Sequence, residues 1–447
     1  MTPFVPPAGG WQKWFFLYIF YRATPCTKYL NLRTQARRVK IAFLTPQFYN
    51  SWGGIGIYSV GLVKELSRLP DMDIHVFCPD VADHNAKERI DMVIGENVSV
   101  HTLCRAVDSP AFSLIFQLSA MREFPEFHRR YQFDMLHSAD LVHMPELFLR
   151  FKDLGIPMVT TAHTTFRSHV KGLFASSMNP FNLTPNERLE LFAYPALTLL
   201  EHYYLRKARH IISVSAAFKD HLREEYDFRG EIRVVHNGVD CGHFNMHSYD
   251  RSGCVKRFPA LGKVKKPVLI YAGRISRQKG ISLLLRSLRI LQDQGIAFHL
   301  LVAGKGDEKA LKGFIRSAGV RPEQVHFFGF VNNRDLAYLY KVSDIFIVPS
   351  YSEHFPISLL EAMSMGCCSI GTDVGSTDEI IDHEEDGLLI RPGDAIGMAG
   401  AIRRLIESPA FRAGMAEKGR QKVHTSFSAD QMALKTRSYY LEILGRQ

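Results

Sequence analysis

Cysteine is scarce in this chain: seven among 447 residues, an odd number, with no C-x-x-C. Cys367 and Cys368 are adjacent and badly placed to bridge each other. That argues against a disulfide framework and for reduced thiols in a cytoplasmic chain. Long apolar runs are missing as well. The most apolar stretch, WQKWFFLYIFY at residues 11–21, has an uncharged core of eight residues. A membrane-spanning helix needs about 20. Only Lys13 precedes that core and no small-residue cleavage site follows, so it makes a poor secretory leader. Neither low-complexity tracts nor short-period repeats occur, which argues against disorder and against a solenoid. No His, Cys and Asp cluster has metal-ligand spacing, and no protein-bound metal is expected.

Acidic residues are absent from the first 40 positions, which hold Lys13, Arg22, Lys28, Arg33, Arg37, Arg38 and Lys40. Seven of the ten net positive charges therefore sit in that segment, and the rest of the chain is close to neutral. This is a basic tail on an ordinary body, not a nucleic-acid binder throughout. Aromatic rings beside Lys and Arg suit an anionic membrane surface. A helix packed on the protein's own surface is the other reading of residues 1–37, and both stay open.

What is present in quantity is alternation. An apolar strand, RVKIAFL, leads into a glycine loop, NSWGGIGIYS, and a helix. Further strands DIHVFCPD, DMLHSA, PMVTTAH and HIISVS follow, with helical segments between them. After IRVVHNGVD a second series starts afresh: PVLIYAGRI, FHLLVAGKG, VHFFGF and DIFIVPS, each followed by a helical pattern, and then CSIGTD. The last segment, FSADQMALKTRSYYLEIL, is helical. Strand–helix alternation means parallel, doubly wound sheets. The fold class is α/β, with two Rossmann-like domains. Expected boundaries are 1–37 for the basic extension, 38–232 and 233–425 for the two domains, and 426–447 for a terminal helix. Ligands of such sheets bind beyond the carboxyl ends of the strands, so facing domains share one cleft.

Several groups fall at those strand ends. Gly53 and Gly54 form a loop that lets backbone approach a ligand; Ser59 stands where a dinucleotide fingerprint has its third glycine. In AGRISRQKG, Gly273 permits a turn, and Arg274 and Lys279 bring two cations suited to a pyrophosphate. Phe330 ends FFGF, where backbone groups can read a base. The D-x-D at residues 71–73 lies at the wrong end of its strand and reads as a solvated loop.

SEHFPISLLEAMSMG follows the strand DIFIVPS. Pro356 suits the first helical position, which leaves the N–H groups of Ile357 and Ser358 free for an anion. Glu353 precedes the helix, and Glu361 lies about 7–8 Å along it. Carboxylates beside a phosphate make sense as acceptors for sugar hydroxyls.

These segments, together with TTAHTT, ARHIISVS, GTDVGSTDEII and EDGLLI, resemble the family 4 retaining glycosyltransferases of the GT-B fold from about residue 38 onward. The resemblance implies a GT-B architecture and transfer of a hexosyl-type sugar from a nucleoside diphosphate sugar to an acceptor hydroxyl. It places the E-x7-E motif on Glu353, for donor-sugar hydroxyls, and Glu361, for the ribose. Arg274 and Lys279 match the pyrophosphate pair, His163 the histidine that reaches the transferred sugar, and Gly53 and Gly54 the N-terminal glycine loop. Nothing beyond the nucleotide-sugar donor is expected as cofactor, and no metal. His354 and Ser376 stand where glycines are common, and GCCS replaces a Gly-x-Pro-Val segment. A lipid-linked or cell-surface glycan is the expected acceptor, because the Phe-, Met- and Leu-rich residues 170–197 follow His163 and the N-terminus is basic and aromatic. Those residues read equally as helix core. An epimerase, a phosphorylase or a non-catalytic partner of another transferase remain the alternatives. The expected location is the cytoplasm, with residues 1–37 a candidate anchor to the membrane face.

Overall fold

Apart from Lys40, the strands VKIAFL and VLIYA are apolar because helices cover both faces of their sheets. In β1 (Val39–Leu44), Ile41 and Phe43 enter one core, and Ala42 and Leu44 enter another on the opposite face. In β8 (Val268–Ala272), Val268 and Ile270 separate in the same way from Leu269 and Tyr271. Two-sided burial of this kind belongs to parallel sheets.

A computed structural model describes residues 37–49, 53–81, 94–106, 112–175, 185–265 and 267–445. The chain divides into two compact units, Met1–Arg38 and Val39–Gln447. Of the first, only Arg37 and Arg38 are described, so the basic aromatic extension lies outside the described residues.

Seven parallel strands form the first sheet of the second unit in the order β3-β2-β1-β4-β5-β6-β7. After β1 they are β2 (Met72–Asp80), β3 (Val98–Arg105), β4 (Met135–Ser138), β5 (Met158–Ala162), β6 (His210–Ser213) and β7 (Glu231–Val234). The second sheet has the order β10-β9-β8-β11-β12-β13, again all parallel. Its members after β8 are β9 (His299–Ala303), β10 (Val325–Gly329), β11 (Ile345–Val348), β12 (Cys368–Thr372) and β13 (Gly387–Ile390). Strand order reverses at β1/β4 in one sheet and at β8/β11 in the other, and these switch points are where a crevice opens.

One sequence expectation needs correction. The boundary at residue 232 cuts β7, whose Val234 still pairs with Ser213 of β6. The first sheet therefore runs through Val234. Asp71 is in a turn and about a third exposed, as the sequence leads one to expect, and it also carries an ion pair. Its carboxylate accepts from Arg437 Nε at 2.9 Å and Nη2 at 2.5 Å, tying the start of β2 to the last helix, Ala429–Ile443.

That last helix returns to the first lobe. Met432, Ala433, Tyr439 and Tyr440 are buried against Tyr58 and Leu62 of the helix Gly54–Leu66. The two crossings between lobes run side by side. Val239 donates to the Phe427 carbonyl and accepts from the Ala429 N–H, each at 2.9 Å. Edge strand β3 is not evident in the sequence because only Leu103 is buried and Ser99, His101, Thr102 and Arg105 interrupt its apolar residues. No helix among the described residues is long and apolar enough to cross a membrane.

Candidate active site

A cavity of about 420 Å³ lies between the lobes at the two switch points. All eleven residues singled out in the sequence line it. Gly53, Gly54 and His163 come from the first lobe. The second lobe contributes Gly273, Arg274, Lys279, Phe330, Glu353, Ile357, Ser358 and Glu361.

On the second lobe, the β8 exit carries Arg274 and Lys279, and the two cations fare differently. Arg274 is exposed and has no ion pair among the described residues. Lys279 Nζ lies 2.7 Å from Glu353 Oε1, which also accepts from Ser350 Oγ at 2.8 Å. Sequence reasoning aimed Lys279 at a phosphate; the fold gives it a carboxylate 74 positions away, on the exit of β11. Two glycines hold this loop. Gly280, at φ +73°, and Gly375, at φ +62°, lie so close to other backbone that a Cβ would run into the carbonyls of Pro349 and Glu353 respectively. Only glycine meets both conditions.

Pro356 is the N-cap of the helix Ile357–Ser364, one position earlier than the sequence reading placed it. Its carbonyl already accepts from the Leu359 N–H at 3.2 Å. Ile357 and Ser358 supply the first N–H groups of the helix, which have no carbonyl one turn back. Glu361 sits further along, 1% exposed. Asn333 Nδ2 donates to its Oε1 at 2.5 Å and the Tyr340 hydroxyl to its Oε2 at 3.1 Å. Burial pushes its pKa up to about 7 against the lowering effect of those two bonds. Asn333, which lines the cavity, was missed in the sequence; the asparagine pair following FFGFV was the available signal.

His163 follows β5. Burial draws its pKa down to about 4, so the ring is neutral. It bonds the Ala139 carbonyl, while its Nε2 is buried without a partner. A carbonyl only accepts, so Nδ1 holds the proton and the buried Nε2 keeps its lone pair. The Tyr58 ring packs edge-on against the imidazole at 4.5 Å.

His354, without an account in the sequence, sits where the lobes meet. Its ring lies 4.6 Å from Phe218, on the first-lobe helix Ala216–Tyr226. Burial, with His221 and then Lys279 nearby, lowers its pKa to about 3. Ser376 Oγ donates to the His354 carbonyl. The two positions where glycines are common therefore touch. Among the described residues no group of three or more His, Cys, Asp or Glu side chains is arranged to hold a metal ion.

Two parallel-sheet lobes facing one cleft, each contributing its switch point, define the GT-B architecture. Within it, residues 52–243 match the model of Glycosyltransferase Family 4, and residues 256–422 that of Glycosyl transferases group 1. The chain belongs to this family and is a glycosyltransferase. It is 25% identical over 422 residues to an uncharacterized glycosyltransferase of Methanocaldococcus jannaschii, covering 91% of this chain and all of the relative. Sucrose-phosphate synthase from Thermosynechococcus elongatus has a similar structure, with TM-score 0.71 and 20% identity, over 91% of this chain and all of that one. An Anabaena protein, Alr3699/HepE, solved with UDP-glucose, gives TM-score 0.69 and 18% identity over the same shares.

Proposed function

We propose that the protein moves a hexosyl-type sugar from a nucleoside diphosphate sugar to an acceptor hydroxyl, with retention of configuration and without a metal ion. The observation that carries this reading is the Lys279–Glu353 pair set beside the helix start of Ile357 and Ser358, with Glu361 further along the same helix. A diphosphate entering there meets Arg274, Lys279 and two backbone N–H groups, which oppose the charge that develops as the sugar departs. Lys279 then turns from Glu353 to the phosphate, and Glu353 is freed to accept sugar hydroxyls. Glu361 accepts the ribose hydroxyls. His163, on the cavity wall, reaches a hydroxyl of the transferred sugar. Attack comes from the face the phosphate leaves; the bond to phosphate oxygen breaks, the bond to acceptor oxygen forms, and the acceptor proton passes to the departing phosphate. Positioning is the contribution of both carboxylates. The Anabaena structure with UDP-glucose supports a donor of this class on this fold.

A lipid-linked or cell-surface glycan is the acceptor in this reading, and the protein works against the cytoplasmic face of an anionic membrane. What supports it is the exposed apolar flank that follows His163. Phe174 lies on the helix Phe166–Ala175, and Phe192, Leu199 and Tyr203 lie on the helix Pro185–Lys207, which ends in Arg206 and Lys207. Phe192 is 86% exposed. Basic residues near an apolar surface suit an anionic bilayer. Nucleic acid has no part in it.

A thermal-shift screen across UDP-, GDP- and ADP-sugars tests the donor. A true donor at a hundred times its Kd stabilises by about 2.7 kcal/mol. The same donors are then assayed for turnover with and without acceptor. Turnover of donor alone, with the sugar isomerised, replaces the transferase reading by an epimerase. Undiminished transfer by Lys279→Ala removes the pyrophosphate assignment.

A further inference from the structure

Tyr440 lies on the last helix, built after the whole second lobe, yet its hydroxyl ends beneath the first-lobe wall of the cavity. It bonds His137 Nδ1 of β4. His137 Nε2 lies 2.8 Å from Thr161 Oγ1 of β5, and Thr161 Oγ1 lies 2.7 Å from the hydroxyl of Tyr58. The Tyr58 ring meets the His163 imidazole at 76° and 4.5 Å. Four side chains from four elements thus form one continuous path to the ring that faces the cavity. Tyr440, His137 and Thr161 are wholly buried, and Tyr58 is 2% exposed.

The chemistry of the path gives it a direction. Burial, with His163 as the second cause, holds the His137 pKa down at about 3, so its imidazole is neutral. A neutral imidazole has one donor and one acceptor nitrogen. The hydroxyls on either side of it must therefore point the same way along the path. With water excluded, each group is oriented by the next, and removing one leaves its neighbour buried and unsatisfied. Tyr58 is held at two edges. Its hydroxyl is tied to Thr161, two residues before His163 on the same strand end, and its ring is packed on His163 itself. Tyr58 also lies in the first turns of the helix that starts at the Gly53–Gly54 loop.

We infer that Tyr440 is a positioning residue for glycosyl transfer, which sets the His163 imidazole through His137, Thr161 and Tyr58. The last helix thereby links completion of the second lobe to the shape of the first-lobe half of the site. The inference rests on the reading of His163 as a group that touches the transferred sugar.

Tyr440→Phe removes one oxygen and keeps the ring. In the full-length protein it lowers kcat about tenfold while the donor KM stays within about twofold, since the donor's nucleotide contacts lie on the other lobe. His163→Ala lowers kcat further. In the double variant Tyr440→Phe adds nothing to His163→Ala, because residues acting through one group do not add. Tyr58→Phe cuts the same path at its other end and gives the same pattern, and it serves if Tyr440→Phe fails to fold. The His163 Cε1 proton, shifted by the Tyr58 ring current, moves in both variants. Additive losses overturn the inference and leave the reading of His163 standing. An unchanged kcat in His163→Ala overturns both.

Discussion

Glu361→Gln separates the cost of a buried charge from its use. Glu361 is enclosed by protein, and its folded pKa of about 7 compares with an ordinary carboxyl at 4.5. The sign follows from proton counts. Between 4.5 and about 7 the folded protein keeps a proton that the unfolded chain has lost, so stability falls as pH rises through that window and is level above it. At about 1.4 kcal/mol per pH unit, that interval corresponds to about 3 kcal/mol. A glutamine fits the same place. Its carbonyl accepts from Asn333, and its amide donates to the Tyr340 oxygen, which now accepts. Urea unfolding is measured at pH 4.5 and pH 8 for both proteins. The variant equals wild type at pH 4.5 and exceeds it by about 3 kcal/mol at pH 8. Donor affinity moves the other way, because the amide is a poorer acceptor for ribose hydroxyls than a carboxylate. Parallel pH–stability curves for the two proteins refute the reasoning, since the ionised carboxylate would then not be the source of the slope.

Two further substitutions test how the cavity is held in shape. Gly375→Ala forces a Cβ into the Glu353 carbonyl at φ +62°. We expect it to lower transfer by tenfold or more, on the order of what a small misplacement of a reacting geometry costs, with a smaller fractional loss in unfolding free energy. Equal transfer by the variant and wild type counts against the role given to the Glu353 loop. Gly172→Val acts across the cleft. Gly172, on the helix Phe166–Ala175, meets Gln278 and Ser352 of the other lobe, and a Cβ would come within 2.9 Å of Ser352 Cβ. Donor KM rises about tenfold, since closure over the donor is hindered, and small-angle scattering shows the lobes further apart. An unmoved KM shows that closure at this point does not govern donor binding.

Much of the frame was legible in the chain. The apolar runs of β1, β8 and β11 announced two parallel sheets, because a strand buried on both faces needs no alternation. The helix start after DIFIVPS was legible because glycine, proline and the strand-to-helix change of period are local signals. Edge strand β3 was not, since exposure removes the apolar signal on which such reading depends. The Asp71–Arg437 ion pair was not legible either, because nothing near Asp71 in sequence foretells a partner 366 positions on.

Glu353 and Glu361 mark the division most clearly. The sequence by itself determined that one precedes a helix and the other lies within it, because helix geometry and strand order follow from short-range pattern. It also determined which residues stand at strand exits, and hence at the cavity. Only the tertiary structure decided that Glu353 is paired to Lys279, that Glu361 is buried enough to hold a proton near neutrality, and that His354 meets Phe218 and Ser376. Those are matters of desolvation and of partners brought from far along the chain, and both arise only when the lobes pack together.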